Sequence, residues 1–278
     1  MKENRFMKIT VRILCYLVLF VLVVICIIPF YNIFINATHQ SADITTAYQL
    51  LPGKYLKENY ETLRTYTNVW RAFGNSLFVA VSCTVLSAYV GALTAYGFAK
   101  YHFRFNKALF WILLATMMLP AQLSLIGYFQ LMDTLKLLDK HLALILPSIA
   151  NASAVFFIRQ YMYTSVPDSL IESARIDGCA ELKIFHRIVF PMIKPAVFTQ
   201  AIFIFVNSWN NFINPLILIF SPEKLTLPVV IQQMKGSYAA NYGVIYLGTS
   251  IAVLPIIIFA AFFLKHIVGG LTVGAVKE

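Results

Sequence analysis

The sequence predicts an all-α membrane protein in which residues 13–268 form six transmembrane helices. Of its 278 residues, 59% are hydrophobic and only 12% are charged, and the mean hydropathy is +0.73. Long apolar runs recur along the chain, and about 20 apolar residues suffice to cross the hydrocarbon core of a bilayer. These observations exclude an ordinary soluble domain, which is far more polar. Segment 1–12 precedes the six-span domain and a short tail, 269–278, follows it.

The apolar runs place the spans at 13–35, 72–99, 108–131, 142–158, 196–220 and 243–264. The first run has about 23 residues, which exceeds the roughly 7–15 of a signal peptide, so it is interpreted as a retained span. In the second span, small residues recur every four positions and favour close helix packing; they are Ala80, Thr84, Ala88 and Ala92. Pro120 should bend the third span, as neighbouring helices can tolerate.

The basic residues support a topology with both termini in the cytoplasm. Segments 1–12, 100–107, 159–195 and 265–278 hold 14 of the 22 Lys and Arg residues, and the three opposite segments hold 8. Cytoplasmic segments are typically enriched in Lys and Arg. Because these cations are scattered between apolar runs, the net charge of +10 indicates membrane topology and not nucleic-acid binding. The four cysteines predict neither a disulfide framework nor a metal site.

One polar stretch, 166–195, interrupts the apolar sequence and predicts a helix-turn-helix. Ser169 and Glu172 fit a capping box, so a short helix should begin near Leu170. Gly178 should end it, because glycine readily adopts positive φ at a helix C-terminus. A second amphipathic helix should follow, with its apolar face at Leu182, Phe185, Ile188 and Val189 and its end at Pro191 and Pro195.

This stretch resembles the EAA loop of bacterial ABC importer permeases, in which Glu-Ala-Ala precedes Gly and Ile-x-Leu-Pro at fixed spacing. Ser173 stands for the first Ala and Phe190 for the Leu. The resemblance implies a type I permease fold with a coupling helix that docks into a separate ATPase. The implied coupling residues are Glu172, Ser173, Ala174, Asp177, Gly178, Ile188 and Pro191. The alternative is an amphipathic connector lying on the membrane surface.

The predicted spans contain no Asp, Glu, Lys or Arg. Ion-driven carriers commonly place such residues at membrane depth, so the energy source should lie outside this chain. The chain also lacks the phosphate-binding pattern GxxxxGK[ST]. The sequence therefore predicts no enzyme activity and no cofactor in this chain, with ATP bound by partner subunits.

The fifth span differs from the others because it carries amides near one helical face: Gln200, Asn207, Asn210, Asn211 and Asn214. Trp209 and Phe212 flank them, and Pro215 should weaken the backbone bond to Asn211. Amides both donate and accept hydrogen bonds, and beside aromatic rings they suit a polyhydroxylated solute. The candidate solute-pathway residues are Asn207, Trp209, Asn210, Asn211 and Asn214. Interhelical hydrogen bonding is the alternative.

Residues 209–216 are similar to the WN-x-F-x-x-PL pattern of carbohydrate permeases of the maltose type, and the resemblance runs from about residue 59 to the C-terminus. It implies the smaller, six-span partner of a permease heterodimer in the bacterial cell membrane, with two ATPase copies and an extracytoplasmic sugar-binding protein. It further implies that Gly236, Ser237 and Tyr238 contact the binding protein, although a flexible surface loop fits them equally. The tail 269–278 should reach the ATPases, with a frayed terminus as the alternative.

Three other functions stay open at this point. An ABC permease for a non-sugar solute, such as a polyamine or phosphate, would share the EAA loop. A secondary carrier or channel would transport without any ATPase. A membrane scaffold would leave the amides of the fifth span unexplained. The favoured interpretation is a carbohydrate permease, with an oligosaccharide as its solute.

Overall fold

The computed structural model describes residues 3–237 and 241–272, and all regular secondary structure in this part of the chain is helical, with no strand. The all-helical fold is therefore confirmed. The helices are α1 (Glu3–Asn36), α2 (Ser41–Thr46), α3 (Leu56–Tyr66), α4 (Val69–Lys100), α5 (Asn106–Met117), α6 (Leu125–Thr134), α7 (Leu142–Ser148), α8 (Ala152–Ser165), α9 (Asp168–Ile176), α10 (Glu181–Ile184), α11 (Phe190–Trp209), α12 (Ile213–Leu218), α13 (Leu227–Ser237) and α14 (Tyr242–Thr272).

In the described part of the chain, five helical segments are long and apolar enough to cross a membrane, and a sixth span results if one bent pair is counted. The five are Lys8–Asn36, Val69–Lys100, Leu142–Ser165, Glu181–Trp209 and Tyr242–Phe259. The bent pair joins Asn106–Met117 to Gln122–Thr134 at an angle of 94°. Its break contains Pro120, which was predicted to bend the third span.

The fifth span begins earlier than the sequence predicted. A continuous helical run extends from Glu181 to Trp209, so the expectation that Pro191 and Pro195 end a separate helix is wrong. The reason is a π-helical turn at Phe185–Val189, where the Phe190 N–H donates to the Phe185 carbonyl five residues back. This wider turn precedes Pro191, which sits in the first turn of α11, where its missing N–H costs least.

The chain divides into two compact units, of which the first comprises residues 1–69 and 231–254. The buried side chain of Asn59 donates to the carbonyls of Ala37 and His39, at 2.9 Å each. The N–H of Tyr242 donates to the Ser41 hydroxyl at 2.7 Å. In this unit the polar connection after α1 is thus fixed by side chains that satisfy its backbone.

The second unit, residues 70–230 and 255–278, contains the predicted helix-turn-helix. All four small residues of the α4 stripe are buried. A Cβ added at Gly91 on α4 would lie 3.1 Å from that of Ala154 on α8, so these helices approach closely. The same core extends into the helix-turn-helix through Ile171, Ala174, Ile184, Phe185 and Val189. Transmembrane helices and helix-turn-helix therefore share one packed core.

Candidate functional site: the helical hairpin and the amide segment

The first helix of the hairpin begins two residues earlier than predicted. Its N-cap is Pro167, and no side chain caps it, so the capping box of Ser169 and Glu172 is wrong. Ser169 lies within the first turn, where its carbonyl accepts from the Ser173 hydroxyl at 2.9 Å. Asp168 opens the helix and pairs with Lys100 of α4 at 2.5 Å. This carboxylate supplies the negative charge that a helix N-terminus favours.

Gly178 forms the turn of the hairpin with φ of +74°, as its role at a helix end predicted. Its N–H donates to the Arg175 carbonyl, and the Cys179 N–H donates to the Ala174 carbonyl, both at 3.0 Å. These two bonds form a Schellman motif, which satisfies carbonyls at the end of α9. A Cβ at Gly178 would meet no atom within 4 Å, so the turn requires glycine for its backbone conformation alone.

An ion pair spans this turn. The Arg175 Nε donates to Glu181 Oε1 at 2.6 Å, and the Tyr96 hydroxyl of α4 donates to Glu181 Oε2 at 2.9 Å. The Arg175 guanidinium also lies 5.2 Å from the centre of the Tyr101 ring. Glu181 therefore connects both helices of the hairpin to the end of a transmembrane helix.

This cluster keeps its charges over the physiological pH range. The hydrogen bond to Glu181 raises the pKa of Arg175. Burial raises the pKa of Tyr101, and its hydrogen bond to the Glu181 carboxylate raises it further. Because a guanidinium is always protonated in proteins and the phenol is held neutral, the cluster is a fixed connection and not a pH switch.

Arg175, Glu181 and Tyr96 were not among the site residues predicted from the sequence. A signal was available, since Arg175 and Glu181 carry opposite charges on either side of the Asp177-Gly178 break. Tyr96 gave no such signal, because its partner is 85 residues away along the chain.

The hairpin buries one face and exposes the other. Ile171 and Ala174 are buried, whereas Leu170 is exposed. Ile176 and Leu182, on either side of the turn, are 86% and 65% exposed. Of the predicted coupling residues, Glu172, Ser173, Asp177 and Gly178 are exposed, Ala174 is buried, and Ile188 and Pro191 lie in the helical run behind the turn. The tip of the hairpin is thus a surface of apolar and charged side chains, with Arg175 and Lys183 exposed beside the apolar and acidic ones.

The amide segment is not one helical face. Helix α11 ends at Trp209, and α12 begins at Ile213, so the continuous stripe predicted from Gln200 to Asn214 is wrong. The side chain of Asn211 accepts a hydrogen bond at 3.2 Å from the N–H of Asn214, in the first turn of α12, whose N-cap is Phe212. Pro215 has no N–H to donate to the Asn211 carbonyl, which favours a full break here over a weakened bond.

This break gives the amides different surroundings. Gln200 is buried, Asn211 and Asn214 are half-buried, and Asn207 and Asn210 are exposed. Phe203, Asn207 and Asn210 follow one another at i, i+4 and i+7, so they share an exposed face of α11. Of the amides, Asn207 and Asn210 are therefore the ones open to a ligand or to another subunit.

Trp209 is fixed beside these two amides. It is 1% exposed, stacks on Phe205 with ring centres 5.9 Å apart, and meets the edge of Phe73 at 5.5 Å. Aromatic pairs at such distances are favourable beyond their buried area. Trp209 therefore anchors the end of α11 and does not itself offer an open ring face.

The residues predicted to contact a binding protein are described only in part. Gly236 and Ser237 belong to the last turn of α13, and Tyr238 lies outside the described residues. In the tail, residues 269–272 continue α14, and residues 273–278 lie outside the described part. Within the described part, no group of three or more His, Cys, Asp or Glu residues could hold a metal ion.

The chain is similar to known transport proteins over most of its length. The model of the family described as "Binding-protein-dependent transport system inner membrane component" matches residues 87–273. The arabinooligosaccharides transport system permease protein AraQ of Bacillus subtilis is 39% identical over 221 residues, which cover 79% of this chain and 78% of that protein. The lactose transport system permease protein LacG of Rhizobium radiobacter is 29% identical and covers 94% of this chain and 95% of its own.

Two further similarities are informative. The sn-glycerol-3-phosphate transport system permease protein UgpE of Escherichia coli is 31% identical, with 80% of each chain covered. A crystal structure of a bacterial ABC transporter involved in the import of the acidic polysaccharide alginate matches with a TM-score of 0.78. That match has 24% identity and covers 91% of this chain and 95% of the other, so it shows a shared fold.

Proposed function

This chain belongs to the binding-protein-dependent transport system inner membrane component family and is a multi-pass transport permease, not an enzyme; we propose that its solute is a neutral carbohydrate. Membership in this family implies a partner permease, an ATPase and a binding protein in general. The finer assignments proposed here are a heterodimeric partner, two ATPase copies, an extracytoplasmic sugar-binding protein, and both termini in the cytoplasm of a bacterial cell.

The observation that carries the proposal is the exposed amide pair, Asn207 and Asn210, beside the anchored ring of Trp209. Amide side chains donate and accept at once, as sugar hydroxyls do. The names of AraQ and LacG, which refer to an arabinooligosaccharide and to lactose, support the same class of solute.

A phosphorylated solute is the second candidate, because UgpE is named for sn-glycerol 3-phosphate. However, residues 195–223, which contain the amide segment, include no Lys or Arg. Recognition of a phosphate usually requires such cations, and α12, the helix that begins in this segment, is only six residues long. The neutral candidate is therefore favoured.

The helical hairpin is proposed to couple transport to ATP hydrolysis. Its exposed tip carries Ile176 and Leu182, which would be costly to leave in water and are suited to a cleft in an ATPase. The hairpin is also packed into the same core as α4, α8 and α11. A force on its tip would thus reach the transmembrane helices through rigid contacts.

The test is uptake by the importer reconstituted with its partner subunits. Neutral arabino-oligosaccharides and lactose should compete for uptake and stimulate ATP hydrolysis, whereas glycerol 3-phosphate should do neither. Stimulation by glycerol 3-phosphate alone would replace the carbohydrate with the phosphorylated solute. Uptake that continues without the ATPase would contradict the coupling assignment.

A further inference from the structure

A polar cavity of about 720 Å³ lies beside the hairpin, apart from the amide segment. The end of α4, the connection 101–105, the start of α5, and helices α8 and α9 line it. Its cations are Lys100, Arg104, Lys107, Arg159 and Arg175, with His102 beside them, and its carboxylates are Asp168 and Glu172. The cavity is therefore rich in positive charge.

Two of these cations are already neutralised within the protein. Lys100 pairs with Asp168 at 2.5 Å, and Arg175 pairs with Glu181 at 2.6 Å. The other three, Arg104, Lys107 and Arg159, have no carboxylate within ion-pair distance in the described part of the chain. Glu172 is the single lining carboxylate without a cation, so the cavity keeps an excess of positive charge.

Arg159 is the most informative of the three. Its guanidinium lies 3.8 Å from the centre of the Phe110 ring and 4.7 Å from that of Tyr163, and its Nε donates to the Phe98 carbonyl at 3.4 Å. These contacts fix a half-buried, planar cation in place without balancing its charge. A preorganised guanidinium is suited to bind two oxygens of a phosphate.

The same connection also presents apolar side chains. Phe103 and Phe105 alternate with the cations and are 45% and 59% exposed, and Trp111 of α5 is 70% exposed. Exposed aromatic side chains next to cations are typical of the membrane–water interface. A soluble phosphate would gain nothing from them, whereas the acyl chains of a lipid would cover them.

From this arrangement we infer that the cavity binds the phosphate headgroup of an anionic phospholipid at the cytoplasmic surface of the membrane. Basic pockets between transmembrane helices on the cytoplasmic side are suited to such headgroups. Arg159 holds the phosphate, Arg104 and Lys107 add attraction, and Phe103 and Phe105 lie among the acyl chains. The inference rests on the proposed function for its topology, since the coupling hairpin sets the cytoplasmic side.

A bound lipid would also lie next to the hairpin. Glu172 and Arg175 of α9 line the cavity, so its occupant is in contact with the helix that is proposed to couple to the ATPase. The lipid class should therefore affect coupling as well as stability.

The experiment uses the assembled importer, purified in detergent and exchanged into bilayers of phosphatidylcholine with or without phosphatidylglycerol. Lipids retained after mild delipidation are identified by native mass spectrometry. The wild-type importer should retain phosphatidylglycerol in preference to phosphatidylcholine. Arg104→Gln with Lys107→Gln should lose this preference, and Arg159→Lys, which keeps the charge but not the planar fork, should weaken it.

Lys54→Gln with Lys57→Gln removes the same charge from exposed positions near α3 and is the matched control; it should retain phosphatidylglycerol as the wild type does. Equal retention of both lipids by the wild type, or full retention by the Arg104 and Lys107 variant, would overturn the inference. Binding of inorganic phosphate to the importer without retention of phosphatidylglycerol would also overturn it, because the bound anion would then come from solution. Loss of the ATPase from the purified wild-type complex would instead point to a failure of the coupling assignment.

Discussion

Arg175 Nε lies 2.6 Å from Glu181 Oε1, so the last turn of α9 is bonded to the first turn of α10 across Gly178. Both side chains are more than a third exposed, and such pairs stabilise a fold only by about 0.2–1 kcal/mol. The main role of the pair is thus geometric, because together with Tyr96 it sets the angle of the hairpin against α4.

We expect Glu181→Gln to leave assembly intact and to lower solute-stimulated ATP hydrolysis about twofold to tenfold, as the loss of about 0.5–1.5 kcal/mol from an orienting bond implies. Tyr96→Phe removes the second bond and should act in the same direction. ATPase activity of the reconstituted importer, with and without solute, measures the effect. Wild-type stimulation in both variants would show that the hairpin does not need this connection.

Gly178 offers a test of backbone conformation at the turn. Gly178→Val should impair uptake, because a residue with a Cβ costs roughly 1–2 kcal/mol in the left-handed region. Gly178→Asn is the matched control and should keep most of the uptake, since asparagine tolerates this region. A Cβ at this position meets no atom of the chain within 4 Å, so the backbone conformation, and not a clash of the Cβ, separates the two variants. The expectation fails if the two variants transport equally well.

The reversal of charge at Glu172 tests the proposed ATPase contact. Its side chain is exposed and has no ion pair within the described part of the chain, so Glu172→Lys should leave the fold intact. Copurification of the ATPase and uptake should both fall sharply. Glu58→Lys on α3, equally exposed, serves as the control and should change neither. Normal ATPase recovery from the Glu172 variant would contradict the docking role.

Asn210 and Asn211 are adjacent but should respond differently. Asn210→Ala alters an exposed amide and should lower uptake or change solute preference, with stability unchanged. Asn211→Ala removes the acceptor for the Asn214 N–H and should cost about 0.5–1.5 kcal/mol of stability, the net value of one hydrogen bond. Uptake competition and thermal unfolding of the purified complex separate the two effects.

Thiol labelling provides an independent check on the exposed face of α11. In a background without the four native cysteines, Asn207→Cys and Asn210→Cys should react with a water-soluble reagent, and added solute should slow the reaction. Ile204→Cys is the control, since Ile204 is buried and should not react. If added solute leaves the labelling rate unchanged at both positions, this face contacts another subunit and not the solute.

The hydrogen bonds of Asp139 predict that the protein loses stability at acidic pH. Hydrogen bonds from Lys224 and Ser221 hold the pKa of this carboxyl well below its usual range. A depressed pKa contributes stability above the unfolded value, near 4, and that stability is lost as pH falls toward the folded pKa. Asp139→Asn should therefore unfold at lower temperature than the wild type at neutral pH, and the difference should shrink below about pH 4. An equal difference at every pH would contradict this.

Much of the fold was predictable, because the hydropathy of a segment determines where a span lies and single residues such as Gly and Pro determine the local backbone conformation. Gly178 and Pro120 were placed correctly, since positive φ and a missing N–H are properties of one position. The end of the second hairpin helix was placed incorrectly. The π-helical turn that accommodates Pro191 depends on the packing of Phe185 and Val189 in the core, which one sequence does not show. The split of the amide stripe likewise depends on a competition between the side chain of Asn211 and the backbone of α11.

The long-range connections could not be predicted from one sequence. Asp139 and Lys224 are 85 residues apart, and no sequence pattern connects them. Arg159 follows directly after the fourth predicted span. Its position in the cavity is set by the rings of Phe110 and Tyr163, which pack against its guanidinium. Contacts of this kind can be identified only when the packing of the helices is known.

The π-helical turn also decides where this helix tolerates a change of length. Each residue of an α-helix rotates the following side chains by about 100°, and a π-helical turn holds one residue more than an α-helical one. Deleting one residue between Phe185 and Val189 would therefore convert the π-helical turn to an α-helical one and leave the helix on either side nearly in phase. The ion pair at Glu181 and the open face at Asn207 and Asn210 would keep their relative orientations. A deletion between Phe190 and Asn207 would instead rotate the open face by about 100° relative to Glu181, so it should do far more harm than the same deletion in the π-helical turn.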